Sequence, residues 1–288
     1  MVHPFKGFRF ERATLVRGES LCLPYDCLTP ELERTLRSQE FNAIHLEEPR
    51  PNLTQAGRRW AKWRQNGALR QDSLSYYLLI ERFGGEERVG LLGLVDLTRK
   101  DRRRWIWPHE KFYRRFVNRR KQHFERVKLH CSPIFLVAED KDKKLAALLK
   151  DVSAKLSSRA VPLGRSPFDR VHRELAAVSD PAQIKRLKEA LRPSDGFLVA
   201  DGHHRYRAAS ELAEQGRLKH CLAYVTSAQS DVGLLKKHPP VPGRKNGHRE
   251  APPPLLAILA QAKVGGLFPR KTTYFWPKVP CGLVYGEC

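Results

Sequence analysis

Residues 201–205, Asp-Gly-His-His-Arg, decide the fold because they join a segment of strand character to a segment of helix character. Residues 196–200 form an apolar, partly β-branched run of strand length. Residues 206–215 have a helix-compatible composition and are followed by Gly216, a residue typical of the position after a helix. The sequence therefore predicts a strand, a turn and a helix in succession.

The predicted turn is rich in groups that bind phosphate. The start of a helix leaves several backbone N–H groups unpaired and carries the positive end of the helix dipole, so an anion is favoured there. Gly202 lets the backbone come close to such an anion, and Arg205, His203 and His204 can add charge-assisted hydrogen bonds. The turn is predicted to bind a nucleotide or a phosphate group.

Two positions in this turn have alternative interpretations. Neighbouring side chains on a turn point in different directions, so it is an alternative that only one of His203 and His204 is functional. Asp201 stands where a residue would cap the following helix. It also suits a Mg²⁺ or phosphate network, and the two roles are compatible.

The motif at residues 201–209 also carries a family resemblance, because its Asp-Gly-His-His-Arg run is followed by an aromatic residue and alanines. It resembles the signature of the free serine kinases built on the ParB/sulfiredoxin-like fold, and especially a bacterial branch catalogued as a domain of unknown function. Further segments match that branch in collinear order over nearly the whole chain. They are Pro4-Phe5-Lys6-Gly7-Phe8-Arg9, Leu23-Pro24-Tyr25-Asp26, Pro108-His109-Glu110-Lys111, Ser132-Pro133-Ile134-Phe135, and Thr273-Tyr274-Phe275-Trp276-Pro277-Lys278 with Gly282-Leu283-Val284.

The resemblance implies an α/β (mixed α+β) fold with a ParB/sulfiredoxin-like core and extensions at both ends. Residues 1–233 would hold the N-terminal extension and the catalytic core, with the core at about 98–233. Residues 234–254 are rich in Lys and Pro and are predicted to be a loop or linker. Residues 255–288 would add a helix and strands that pack back on the core.

The resemblance also implies an activity, the transfer of a phosphoryl group from ATP or ADP, with Mg²⁺, to the hydroxyl of free L-serine. Glu110 would be the base that takes the hydroxyl proton from across a cleft, and a surface ion pair with Arg114 is the alternative for it. The implied catalytic residues are Glu110, His204 and Asp201. The implied phosphate-binding residues are His109, Gly202, His203, His204 and Arg205. Tyr25 and Asp26 are further candidates, although their segment equally suits a plain turn.

The chain is strongly basic, with 53 Lys and Arg against 31 Asp and Glu and a formal net charge of +22. Residues 99–128 hold 13 of these basic residues and only three acids, interleaved with aromatic side chains. Such a mixture is typical of a surface that tracks a nucleic-acid backbone and stacks bases. The alternative is a helix that buries Phe112, Phe116 and Phe124 on one face and exposes its charges.

The remaining composition indicates a folded cytoplasmic protein of 288 residues without a membrane partner. The chain has no apolar run long enough to span a membrane and no secretory signal at its start. Its six cysteines form no Cys-x-x-Cys pair. A β-hairpin is predicted at residues 75–97, and helices at 30–39, 54–66, 145–152 and 181–191.

The C-terminal half departs from the family pattern. The stretch between the helix at 206–215 and the block at 273–278 is shorter than in the bacterial branch, and residues 236–239 are the nearest remnant of a missing Pro-Thr-His-Arg-like segment. Two alternatives to a serine kinase remain. The net charge of +22 supports a ParB-like module that binds nucleic acid in response to nucleotide, and the shortened C-terminal half supports a catalytically inactive relative.

Overall fold

The computed structural model describes residues 2–17, 19–22, 28–83, 85–165, 171–192, 196–230 and 283–286. The helices are α1 Arg12–Arg17, α2 Pro30–Ser38, α3 Ile44–Glu47, α4 Thr54–Gln65, α5 Arg114–Val127, α6 Lys144–Leu156, α7 Pro181–Ala190 and α8 His203–Glu214. The strands are β1 Val2–His3, β2 Phe8–Phe10, β3 Leu69–Gln71, β4 Tyr76–Phe83, β5 Glu86–Asp96, β6 Ile106–Pro108, β7 Leu129–His130, β8 Ile134–Ala138, β9 Val161–Arg165, β10 His172–Val178, β11 Phe197–Asp201, β12 His220–Ser227 and β13 Leu283–Gly286. The α/β class predicted from the sequence is confirmed.

The main sheet is mixed, and helices cover both of its faces. In the described part of the chain its strand order is β6-β11-β8-β12-β5-β4-β10-β9, with β1 paired to β5. The neighbours β6 and β11 run parallel, as do β8 and β12, whereas the other pairs are antiparallel. The hairpin predicted at residues 75–97 supplies the adjacent strands β4 and β5.

The hairpin strands are apolar almost throughout because both faces of the sheet are buried. In β4, Tyr76 and Leu78 point into one core, and Tyr77 and Leu79 point into the other. The first core lies under α6, α7 and α8, and the second lies under α2, α3 and α4. A strand buried on both faces lacks the polar alternation of a surface strand, so the hairpin is scaffold for the site described below.

A second, smaller sheet has the strand order β3-β2-β13-β7 in the described residues. Leu283 of β13 pairs with Arg9, and Tyr285 of the same strand pairs with His130. Residues from the end of the chain thus pair with the strand formed by residues 8–10. Residues 234–254, and the rest of 255–288, lie outside the described residues.

The predicted helices are present, with ends set by local chemistry. Asp180 caps α7, since its carboxylate accepts a hydrogen bond of 2.8 Å from the backbone N–H of Gln183. The segments 30–39, 54–66 and 145–152 correspond to α2, α4 and α6. Helix α8 begins at residue 203, three residues before the predicted start, because the left-handed Gly202 ends the turn at once.

The interpretation that Phe112, Phe116 and Phe124 share the buried face of one helix is wrong in part. Helix α5 starts only at residue 114, so Phe112 precedes it and is 39% exposed. The buried face of α5 consists of Val117, Arg120, His123, Phe124 and Val127.

No helix in the described ranges is both long enough and apolar enough to cross a membrane.

Candidate functional site

The site lies where two parallel strands end side by side. Strand β6 pairs with β11, with Ile106 opposite Phe197 and Pro108 opposite Val199. Because the carboxyl ends of parallel neighbours meet at one edge of a sheet, the residues that follow the two strands emerge together. His109 and Glu110 therefore stand beside the turn at residues 201–205, whereas the family resemblance had implied that Glu110 lies across a cleft.

The turn is made by a single left-handed residue. Gly202 has φ of +84° and precedes the first residue of α8. The backbone N–H of Tyr206 is bonded to the carbonyl oxygen of Gly202 at 2.9 Å, so the amides of residues 203–205 belong to the open first turn of the helix. This end of α8 has the geometry and dipole that favour an anion.

Asp201 does not cap α8, and the prediction of a cap is wrong. It is the last residue of β11, and the cap position is held by Gly202 with no side-chain hydrogen bond. Its Oδ2 instead accepts a hydrogen bond of 3.0 Å from Nη2 of Arg205, four residues later. The carboxylate of Asp201 therefore binds the guanidinium of Arg205 and not the backbone amides of the helix.

Arg205 is folded over the turn rather than extended into solvent. Its residue is only 7% exposed. A Cβ atom built on Gly202 would stand 2.9 Å from Nη2 and 3.1 Å from Nε of Arg205, so a larger residue would have to displace the guanidinium. Within the described residues Nε has no hydrogen-bond acceptor. A buried donor without an acceptor is costly, and an anion at the turn would supply one.

His203 is buried against His109 and is neutral. Burial, followed by the charges of His109, His204 and Arg205, lowers the pKa of His203 to about 3. Its Nε2 lies 3.4 Å from the backbone N–H nitrogen of His109 and 3.3 Å from His109 Nδ1. Because an amide can only donate, we assign Nε2 as the acceptor and Nδ1 as the nitrogen that carries the proton.

Glu110 is held at this histidine. Its Oε2 lies 3.3 Å from Nδ1 of His203, and its side chain is 58% exposed. At neutral pH this contact joins a neutral imidazole to a carboxylate, so it is a close polar contact rather than an ion pair, and the ring also hydrogen-bonds the backbone of Val199. Glu110 precedes α5, and Arg114 pairs with Glu211 at 2.7 Å, so Glu110 does not stand on a helix surface as its alternative role required.

His204 points away from His203, as expected for neighbours on a turn. Its Nε2 accepts a hydrogen bond of 3.0 Å from the backbone N–H of Tyr113. Its ring stacks on that of Tyr113 at 6.3 Å between centroids and lies edge-on to Phe116 at 5.3 Å. His204 therefore links the turn to the segment before α5, while His203 links it to His109 and Glu110.

A buried charge pair stabilises this arrangement, and no local sequence pattern predicts it. Glu47 of α3 bonds to Arg120 of α5 at 2.8 Å, and both are almost fully buried. Burial raises the pKa of Glu47, but the charges of Arg120, His123 and Arg205 outweigh this effect and lower it. Arg205 is therefore close enough to Glu47 for the buried carboxylate of α3 to attract its guanidinium.

Part of the basic excess at residues 99–128 is neutralised by acids. At least six of its 13 basic residues form ion pairs. These pairs are Arg99 with Asp101, Arg102 with Glu214, Arg114 and Lys121 with Glu211, Arg119 with Glu48, and Arg120 with Glu47 and Glu48. Most of these acids belong to α8 and to residues 47–48, so the segment is tied into the fold.

The remaining sequence candidates are Tyr25 and Asp26, which lie outside the described residues, as does the block at 273–278. In the described part of the chain, no three His, Cys, Asp or Glu side chains converge as a metal site. The sequence interpretation counted Tyr113 among the aromatic side chains of the basic segment but did not assign it to the site; it is 67% exposed. The available signal was the aromatic pair directly after the Pro-His-Glu-Lys run of residues 108–111.

A comparison with known families bears on the whole of this region. The family model described as "Protein of unknown function (DUF1015)" matches residues 2–234, which include both loops of the site. No curated protein and no solved structure matches the chain. The match covers far more than half of the sequence, and the chain therefore belongs to the DUF1015 family.

Proposed function

We propose that the protein is a kinase that transfers a phosphoryl group from ATP or ADP to the hydroxyl of free L-serine. In this proposal the main sheet is a ParB/sulfiredoxin-like core, and the reaction takes place in the cytoplasm, where these substrates occur. The observation that carries the proposal is the contact between Glu110 and His203 at 3.3 Å, because it brings a carboxylate to a phosphate-binding type of turn.

The donor phosphates fit the first turn of α8. The amides of residues 203–205 and the buried guanidinium of Arg205 supply hydrogen-bond donors around Gly202. Arginine suits this task because its planar fork binds two phosphate oxygens at once. His109, which packs edge-on against His203 at 4.7 Å between ring centroids, adds a further imidazole on the same side.

The acceptor hydroxyl fits beside Glu110. The serine oxygen attacks the terminal phosphorus, the new O–P bond forms, and the bond from phosphorus to the leaving phosphate oxygen breaks. The leaving nucleotide keeps that electron pair, and Glu110 takes the hydroxyl proton. Neutral His203 lies against the carboxylate and withholds the positive charge that would make Glu110 a weaker base.

The donor set also fits Mg²⁺. This ion takes one or two protein carboxylates and completes its shell with water and substrate phosphates, so it needs no cluster of protein ligands. Asp201, at the end of β11 beside the turn, is the carboxylate that would hold it. When bound, the ion neutralises charge on the phosphates.

The proposal is tested by incubating the purified protein with L-serine, Mg²⁺ and either ATP or ADP, and by measuring O-phospho-L-serine by mass spectrometry. We expect product from the wild type and a fall in kcat of at least about 100-fold in Glu110→Gln, since a positioned base contributes roughly 10²–10⁴-fold. Glu189→Gln on α7 is the matched control, and it should retain the wild-type rate.

Two outcomes would overturn parts of this account. Wild-type rates in Glu110→Gln would remove the base assignment while keeping the kinase. Nucleotide binding by the wild type without any phosphoserine would reject serine as the acceptor and favour a catalytically inactive relative.

A further inference from the structure

Two exposed aromatic side chains lie next to the site. The large hydrophobic residues that are exposed in the described part of the chain are Val16, Leu74, Phe112 and Tyr113. Two of these four are consecutive and directly follow the segment that carries Glu110. Tyr113 is the most exposed of them, at 67%. The ring contacts His204 and Phe116, and at this exposure most of its surface stays accessible to a ligand.

Tyr113 is coupled to the turn at residues 201–205 by two contacts with His204. Its backbone N–H donates to His204 Nε2 at 3.0 Å, and the two rings lie nearly parallel, at 23° and 6.3 Å between centroids. Tyr113 itself is in extended conformation before α5, so this contact fixes the ring beside the first turn of α8.

The surroundings of this ring are basic. The guanidinium of Arg207 lies 4.9 Å from the centroid of Phe112, and that of Arg114 lies 5.6 Å from it. Arg115 stands over Phe116 at 4.6 Å. Aromatic rings interleaved with guanidinium groups are typical of surfaces that stack nucleobases and attract phosphate charge.

We propose that Tyr113 is the surface on which the base of the bound nucleotide stacks, while the phosphates of the same molecule occupy the turn at residues 201–205. The inference rests on the proposed function, since it uses the turn as the phosphate site. A nucleoside di- or triphosphate carries both recognised groups, a flat base and a chain of phosphates, in one ligand. The two parts of the site stand side by side because His204 joins them.

A free nucleotide fits this surface better than a nucleic-acid strand. A strand requires a row of cations that follow its backbone. On α5, however, Arg114 and Lys121 are paired with Glu211, and Arg119 is paired with Glu48. These pairings interrupt the row of cations along α5.

The inference is tested by titrating the full-length protein with ATP, ADP and inorganic tripolyphosphate in an isothermal calorimeter, and with a single-stranded oligoadenylate in a separate titration. Tyr113→Ala should weaken ATP and ADP binding about tenfold, the size expected for losing one base–aromatic stack, and should leave tripolyphosphate affinity within about twofold. Tyr113→Phe should keep the nucleotide affinity. Leu74→Ala removes another exposed hydrophobic side chain and should change none of the three affinities.

Each contrary outcome has its own meaning. Equal losses of ATP and tripolyphosphate affinity would show that Tyr113 acts through His204 and not on the base. Unchanged ATP affinity in Tyr113→Ala would reject the inference and leave the proposed function standing. A loss confined to a single-stranded oligoadenylate would identify a nucleic-acid surface instead. A wild type that binds neither ATP nor tripolyphosphate would reject both the inference and the proposed function.

Discussion

The two ends of α8 both carry a glycine in the left-handed conformation, yet the two glycines have different tasks. Gly202 has φ of +84° and Gly216 has φ of +71°. A Cβ atom on Gly216 would meet nothing within 4 Å, whereas one on Gly202 would meet the guanidinium of Arg205 and the side chain of Ile134. Gly216 is needed only for its left-handed backbone conformation, whereas Gly202 also leaves space for the guanidinium of Arg205.

An arginine accompanies each end and shows the same contrast. Arg205 is 7% exposed and is held by Asp201 of the neighbouring strand. The side chain of Arg217 is 56% exposed and forms an ion pair of 2.6 Å with Glu125. A surface ion pair of that kind contributes little to stability. Burial and crowding, rather than residue type, therefore distinguish the end of the helix that we propose to bind phosphate.

The largest expected difference between the two ends is in nucleotide affinity. Arg205→Lys removes the planar fork beside the turn and should weaken ATP binding by about 100-fold, the equivalent of losing one or two charge-assisted hydrogen bonds. Arg217→Lys is the matched change at the other end and should leave the affinity within about twofold. Calorimetric titration measures both. Equal affinities in the two variants would mean that the turn does not bind the phosphates.

A second difference concerns stability. Gly216→Ala should lower the free energy of unfolding by about 1–2 kcal/mol, because an alanine there must adopt left-handed φ. Gly202→Ala carries the same strain and must also displace Arg205, so we expect a loss of about 2–3 kcal/mol. Urea denaturation of both variants measures these values. Identical losses would show that the guanidinium moves aside without cost.

The third and smallest difference is in pH dependence, since only the N-terminal end holds a buried neutral histidine. The pKa of His203 is lowered to about 3 in the folded state and is about 6.5 when unfolded, so the unfolded chain binds the extra proton. The stability from neutral His203 is complete above pH 6.5 and is lost as the pH falls toward 3. From pH 7.5 to 5.0 the wild type should lose about 2 kcal/mol more unfolding free energy than His203→Asn.

Urea unfolding at the two pH values decides this point. Parallel losses in wild type and His203→Asn would show that folding does not lower the pKa of His203, which would contradict its burial as a neutral partner of Glu110.

Local chemistry explains how much of the fold the sequence predicted. Helix α7 could be placed because Asp180 and Pro181 define its start through neighbouring atoms alone, and the hairpin of β4 and β5 could be placed from two apolar runs around a turn. The cap at Asp201 was mispredicted because a carboxylate has two available partners there, and the choice depends on the buried position of Arg205.

The site itself was predictable as residue types but not as geometry. The composition of the turn at residues 201–205 predicts a phosphate site, and this stays a prediction. The pairing of the three-residue strand β6 with β11 is a long-range contact, and no local pattern predicts that it brings Glu110 to His203. Phe112 was assigned to the buried face of α5 because a helical period was extended two residues too far, and Tyr113 was not connected to the turn because its contact with His204 is also long-range.

The most direct test of the central claim, that residues 109–110 and 201–205 form one phosphoryl-transfer site, is a crystal structure with a non-hydrolysable ATP analogue, Mg²⁺ and L-serine. The account predicts phosphates at the amides of α8 and at Arg205, with the serine hydroxyl between the terminal phosphorus and Glu110. An analogue bound elsewhere, with the turn at residues 201–205 free of phosphate, would contradict it.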